Sequence, residues 1–101
     1  MNLKDLGIVD NLEIYCNGQQ VVDCIDRIMI EQEHIEHEAH YQPVALLLLD
    51  INMPIMTGFE VVPLVKQRYR DLNNRRKAHF IADRLRKEPK QIVLPTICYL
   101  S

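Results

Sequence analysis

Apolar and polar residues alternate with two different periods along this chain, and the changes of period outline its elements. Residues 12–16 (L-E-I-Y-C) follow the period of two that a strand requires. Asn17-Gly18 breaks that pattern, and Val21, Val22, Ile25, Ile28 and Met29 then recur at three- and four-residue intervals. The spacing predicts an amphipathic helix from Gln19 to about Ile30. After Pro43, residues 44–49 (V-A-L-L-L-L) form a continuous apolar run of strand length. Apolarity on both faces is what a buried parallel strand needs. A loop signal, D-I-N-M-P, sits at its C-terminal end.

A helical pattern returns after Gly58 with Val61, Val62, Leu64 and Val65. Pro63 lacks an N–H, so the helix is expected to start near Glu60 and carry Pro63 in its first turn. Asn73-Asn74 is expected to end it. Residues 78–86 read as a second short helical piece, closed by Glu88-Pro89. Residues 92–100 (I-V-L-P-T-I-C-Y-L) read as a final strand. Ahead of all this, residues 1–6 read as the tail of a short helix with Gly7 as its cap. The order strand–helix–strand–helix–strand implies an α/β unit with a parallel sheet and right-handed crossovers.

Composition narrows the class. The chain has 101 residues, 48% hydrophobic and 26% charged, values of one small globular domain. The longest apolar run is far short of the ~20 residues of a membrane helix, and the N-terminal residues lack the apolar core of a secretory signal. Three cysteines, with no C-x-x-C, argue against a disulfide framework and favour a reducing, cytoplasmic (intracellular) setting. Cys16, Cys24 and Cys98 are read as buried small hydrophobes rather than nucleophiles.

Charge adds a contrast that the net value of −2 conceals. Residues 66–90 hold ten of the twelve basic residues against Asp71, Asp83 and Glu88, a net of +7, and the remainder nets −9. Such a stretch is either a surface for nucleic acid or an acidic partner, or a solvated helix face that neutralises the acidic half. Aromatic interleaving is thin, with Tyr69 and Phe80 alone, and nucleic acid is not the expected partner. His34, His37 and His40 sit among glutamates. His34 and His40 are six apart, about 240° round a helix, so three rings cannot converge on a metal there. A solvated helix end or loop is the expectation.

Chemistry in open parallel sheets gathers at the carboxyl ends of strands. Asp50 stands there, after four leucines. A carboxylate at the mouth of an apolar strand is costly to bury alone, so it is expected at the rim, on a metal, or both. Asn52 is placed to offer a backbone carbonyl or side chain to the same ion. The alternative is an ordinary solvated aspartate at a strand-to-loop turn, and spacing alone does not choose between them.

Residues 44–58, V-A-L-L-L-L-D-I-N-M-P-I-M-T-G, resemble the phosphoacceptor segment of response-regulator receiver domains of two-component and phosphorelay signalling. Asp50, Met53, Pro54 and Gly58 stand in that segment's register. Asn17-Gly18-Gln19-Gln20 is similar to the start of the family's second helix, and residues 95–101 to its fourth strand, with Ser101 in the place of a phosphoryl-contacting Thr or Ser. The resemblance implies a flavodoxin-like fold, incomplete here, with the first and fifth strands missing. The whole of 1–101 would be a partial receiver domain, truncated at both ends, with a basic insertion at about 70–90.

The resemblance further implies that Asp50 accepts a phosphoryl group from a phosphohistidine donor, a histidine kinase or phosphotransfer protein. Asp50 and the backbone carbonyl of Asn52 would bind Mg²⁺, held weakly or lost because the family's acidic pair is absent. Met53 and Pro54 would shape the loop, and Gly58 would permit close backbone approach. The module would not itself be an enzyme, and dimerisation is left open. The alternative within the family is a degenerate receiver that takes no phosphate and serves as a docking module. An aspartyl-phosphate phosphatase fits less well, because position 52 is Asn where that class needs a second Asp.

Overall fold

A computed structural model of the chain describes residues 13–82 and 88–100. The expectations for residues 1–6, Gly7, Leu12 and Ser101, and for the 83–86 part of the expected second helical piece, lie outside the described residues. Within them the order is α1 (Gly18–Gln32), β1 (Leu46–Asp50), α2 (Gly58–Ala82) and β2 (Thr96–Leu100). The fold is mixed α/β with a parallel sheet of two strands.

Helix α1 starts where the sequence breaks its strand pattern. Asn17 is extended and its side chain accepts from the Gln20 N–H at 2.9 Å, which satisfies one of the free donors at the helix start. Val21, Val22, Ile25 and Met29 face inward. The four residues before it do not form the expected strand. Residues 13–16 have no ladder partner among the described residues. They serve instead as a lead-in to α1: the Cys16 N–H donates to Gln20 Oε1 at 2.8 Å, and the Tyr15 hydroxyl donates to Glu13 and, at 3.0 Å, to Cys24 Sγ. These two contacts, with Cys24 the stronger, push the Tyr15 hydroxyl up to about 12.

The strands pair from Leu46 with Thr96 to Asp50 with Leu100. Pairing continues on both sides. The Thr96 N–H donates to Ala45 O at 3.0 Å and the Ile51 N–H to Leu100 O at 3.1 Å. Tyr41 bridges Ile92 in the same parallel sense. Between that bridge and the ladder one strand carries one residue more than the other, and the interruption holds Pro43 and Pro95, neither of which can donate. The strands are therefore shorter than the apolar runs that announced them.

Only one face of this sheet is covered by the described residues. Alternate residues share a face, so Leu47 and Leu49 stand with their partners Ile97 and Tyr99, and Leu49 is buried. The opposite face carries Leu48, 38% exposed, with Cys98 exposed and Leu100 half exposed. The expectation of a strand buried on both faces is corrected accordingly, and so is that of a buried Cys98. Cys16 is exposed as well, and Cys24 is partly buried.

Helix α2 is one continuous helix of 25 residues. It begins two residues before the expected start, so Pro63 falls in the second turn. Its missing N–H removes one helical bond without ending the helix. Nor does Asn73-Asn74 end it. Val61, Val65, Tyr69, Leu72, Arg76 and Phe80 recur at intervals of four or three and are all buried, forming one stripe along its whole length. The Asn73 side chain turns to the chain before β2. Its Nδ2 donates to Ile92 O at 3.0 Å, and its Oδ1 accepts from the Ile92 N–H at 2.9 Å. With those bonds made, the modest helix penalty of Asn is outweighed.

The two helices run side by side in the same direction and enclose the core with Leu49 and Ile92. The backbone of Gly18 lies so near α2 and its lead-in that a Cβ would sit 2.5 Å from Met56 O and 2.7 Å from Val61 Cγ2. Farther along, Arg68 pairs with Asp26 at 2.8 Å and Arg75 with Glu33 at 2.5 Å. Part of the charge contrast read from the sequence is thus closed between α1 and α2. Arg76 is fully buried. Its Nη1 donates to Gln32 O at 2.5 Å and Ile35 O at 2.6 Å, and its Nη2 to Lys90 O at 3.4 Å. Residues 70–82, placed by the sequence in a basic insertion, form the second half of this core helix.

Candidate functional site

The C-terminal end of β1 leads directly into the loop that starts α2, and Asp50 is the last strand residue. Its side chain is exposed. Position alone explains this. Leu49 points into the core, so the next residue points away from it, at the rim where a carboxylate keeps its water. The Asn52 N–H donates to Asp50 Oδ1 at 2.9 Å. That bond turns the chain back over the strand end and fixes the orientation of the carboxylate.

The loop then folds tightly. Met53 is partly buried against the core cluster and pins the loop to the body of the fold. The Met56 N–H donates to Pro54 O at 2.6 Å, a three-residue turn with Ile55 at its centre. Ile55 has φ 66° and is exposed. A branched side chain is disfavoured in that left-handed region. Thr57 caps α2: its Oγ1 accepts from the Glu60 N–H at 3.3 Å and contacts Glu60 Oε1 at 3.3 Å, while its carbonyl accepts from Val61 at 3.1 Å. The Thr-x-x-Glu spacing was readable in T-G-F-E as a helix-start signature.

Gly58 closes the loop onto the strand. A Cβ there would lie 2.8 Å from Asp50 O and 3.3 Å from Leu49 Cβ. The first turn of α2 therefore rests on the backbone of Asp50, and only a residue without a side chain allows that approach. The partial positive charge of a helix start lies beside the strand end that carries the carboxylate. Next to Gly58, Phe59 meets Tyr99 of β2, with ring centroids 4.9 Å apart.

The structure brings Asp50, Asn52, Met53, Pro54 and Gly58 together in one loop at one sheet end. Leu100 pairs with Asp50, which places the last described residue of β2 at the same end, and Ser101 is outside the described residues. The fit of a magnesium ion rests on the donor types. Asp50 offers an exposed carboxylate and Asn52 a backbone carbonyl, both hard oxygen ligands that suit Mg²⁺ with water completing its shell. Among the described residues, no three His, Cys, Asp or Glu side chains gather as a metal-holding group. His34 and His40 are exposed, and His37 is partly buried with its ring stacked on Tyr41. Ile55 and Thr57 are the members of the loop that the sequence reading passed over.

Among the described residues no helix is long and apolar enough to cross a membrane. No family model, curated protein or solved structure matches this chain.

Proposed function

We propose that this chain is a receiver-type phosphorelay module in which Asp50 accepts a phosphoryl group from a phosphohistidine donor. The observation that carries the reading is the strand end itself. An exposed carboxylate stands at the C-terminal end of a parallel strand, and the glycine eight residues on rests on its backbone carbonyl. Topology supports it too. In a 2-1-3-4-5 sheet, the connections into and out of the third strand cross in the same direction. Right-handed crossovers then put both helices on one face. Here both helices pack in one cluster with Leu49, Leu47 and Ile97, which share a face.

The reaction follows from what the residues offer. Asp50 Oδ1 is held by the Asn52 N–H, and the second carboxylate oxygen is the nucleophile. It attacks the phosphorus in line. The P–N bond to the donor imidazole breaks, the P–O bond of an acyl phosphate forms, and the leaving imidazole takes up a proton. Asp50 and the Asn52 carbonyl would hold Mg²⁺, which supplies charge neutralisation between carboxylate and phosphoryl oxygens. Gly58 keeps the start of α2 against the strand end, where its free N–H groups favour added negative charge.

Incubation with acetyl phosphate and Mg²⁺, followed by intact-mass measurement, tests the reading. One phosphoryl adduct is expected on the wild-type chain and none on Asp50→Asn. An unmodified wild type would overturn phosphoryl acceptance. A second reading, a receiver-like docking module that takes no phosphate, is favoured by the uncovered sheet face bearing Leu48, Cys98 and Leu100.

A further inference from the structure

All four histidines of the chain belong to one end of the molecule, away from Asp50. His34, His37 and His40 follow α1, and His79 lies near the end of α2. The rings of His34 and His79 meet edge to face, centroids 4.2 Å apart. His37 Nε2 is 2.8 Å from Gln32 Oε1, and its ring stacks on Tyr41 at 4.3 Å. His40 Nδ1 accepts from the Gln91 N–H at 3.2 Å. Between these groups lies buried Arg76, bound to the carbonyls of Gln32, Ile35 and Lys90.

We infer that this end is a proton-released latch: neutral His37, stacked on Tyr41, and His40, accepting from Gln91, hold the loop after α1 against the segment before β2, and protonation of those rings frees it. His40 can accept from Gln91 only while Nδ1 carries no proton, and a protonated ring would set donor against donor. His37 already uses Nε2 toward Gln32, so an added proton goes to Nδ1 and makes the ring a second cation beside Arg76. Burial, and then the Arg76 charge, hold the His37 ring below its ordinary pKa.

Charged groups from three elements surround these rings. From the end of α1, Glu33 faces Arg75 and His34. From α2 come Arg75, Arg76, Lys77 and His79. From the segment before β2 come Lys90 and Glu88, the latter paired with Lys77 at 3.1 Å. Glu36 and Glu38, on the same loop as His37, are exposed. The sign follows. A base whose pKa is depressed by folding stabilises the folded state above its unfolded value, and that contribution is lost as the pH falls below about 6.5. The strand pairing that starts at Tyr41 and Ile92 is what loosens, while the Asp50 loop sits at the other sheet end.

Amide hydrogen exchange on the whole chain tests this, whatever the fate of Asp50. Between pH 7.5 and 5.5, the Gln91 and Val93 amides should lose protection by on the order of tenfold relative to Val61 and Val65 in α2. In the variant His37→Gln/His40→Gln, which keeps acceptors but cannot titrate, protection should persist at pH 5.5. Unchanged protection in the wild type, or an equal loss in the variant, would overturn the latch. Should the variant not fold, NMR titration of the wild-type rings decides. Loss of Gln91 protection in step with His37 and His40 protonation supports the latch, and loss only at the pH of carboxylates contradicts it.

Discussion

The two ends of the small parallel sheet are built on opposite plans. At the end bearing Asp50, the loop crosses on few bonds: one Asx contact to Asn52, one tight turn through Ile55, and a glycine pressed on a carbonyl. The carboxylate is left in water. At the other end several backbone groups near the crossing are held by side chains. Asn73 clamps both polar groups of Ile92, Arg76 holds three carbonyls, His40 takes Gln91, and Gln42 reaches Leu94 O at 2.7 Å. The fold gets its definition at this second end. Two strands cannot make a sheet that is stable alone, so the helices are tied to the strands at one end, and the other end keeps the Asp50 carboxylate exposed.

The comparison breaks most visibly at Arg76. Arg76→Met keeps a long side chain in the stripe but removes the guanidinium bonds to the Gln32, Ile35 and Lys90 carbonyls. Urea unfolding should show a loss of about 2–4 kcal/mol. Phosphoryl acceptance at Asp50, measured where the variant is still folded, should hardly change. Gly58→Ala should do the reverse in kind. Its Cβ forces α2 off the Asp50 carbonyl, costs about 1–3 kcal/mol, and should slow acceptance at Asp50 as well, in the same acetyl phosphate assay. If Gly58→Ala lowers stability but leaves acceptance intact, the contrast between the ends is wrong in its functional half.

Ile55 gives the smallest and opposite effect. Ile55→Gly removes the left-handed strain of a branched residue, and the added chain entropy of glycine offsets part of the gain. A rise of about 0.5 kcal/mol in urea unfolding is expected. A fall would mean that Ile55 makes a contact worth more than its strain.

Much of this was legible in the residues, and the reasons for the rest are physical. Asn17 and the 3-and-4 spacing after it announce α1, and the leucine run announces β1. The loop after β1 was legible too, because its signal is local: a strand end, a proline, a glycine at fixed distance. What did not show was the reach of long-range bonds. Asn73 reads as a helix stop until Ile92 is brought beside it. Arg76 reads as surface charge among its basic neighbours, although continuing the stripe past Leu72 lands on Arg76 and Phe80. The strand read at residues 12–16 has a sound pattern but no neighbour among the described residues, and a pattern makes a strand only where a ladder partner exists. Tyr69 shows the remaining cost of this packing. Its hydroxyl is buried with no hydrogen-bond partner among the described residues, and burial pushes it up to about 12.

The central claim is that the Asp50 carboxylate at the open sheet end is a phosphoryl acceptor. Its most direct test is peptide mapping after treatment with acetyl phosphate and Mg²⁺, then hydroxylamine, which converts an acyl phosphate to a hydroxamate on the residue that carried it. The hydroxamate should be found on Asp50 and nowhere else. A wild-type chain without it, or with it on another carboxylate, would contradict the account.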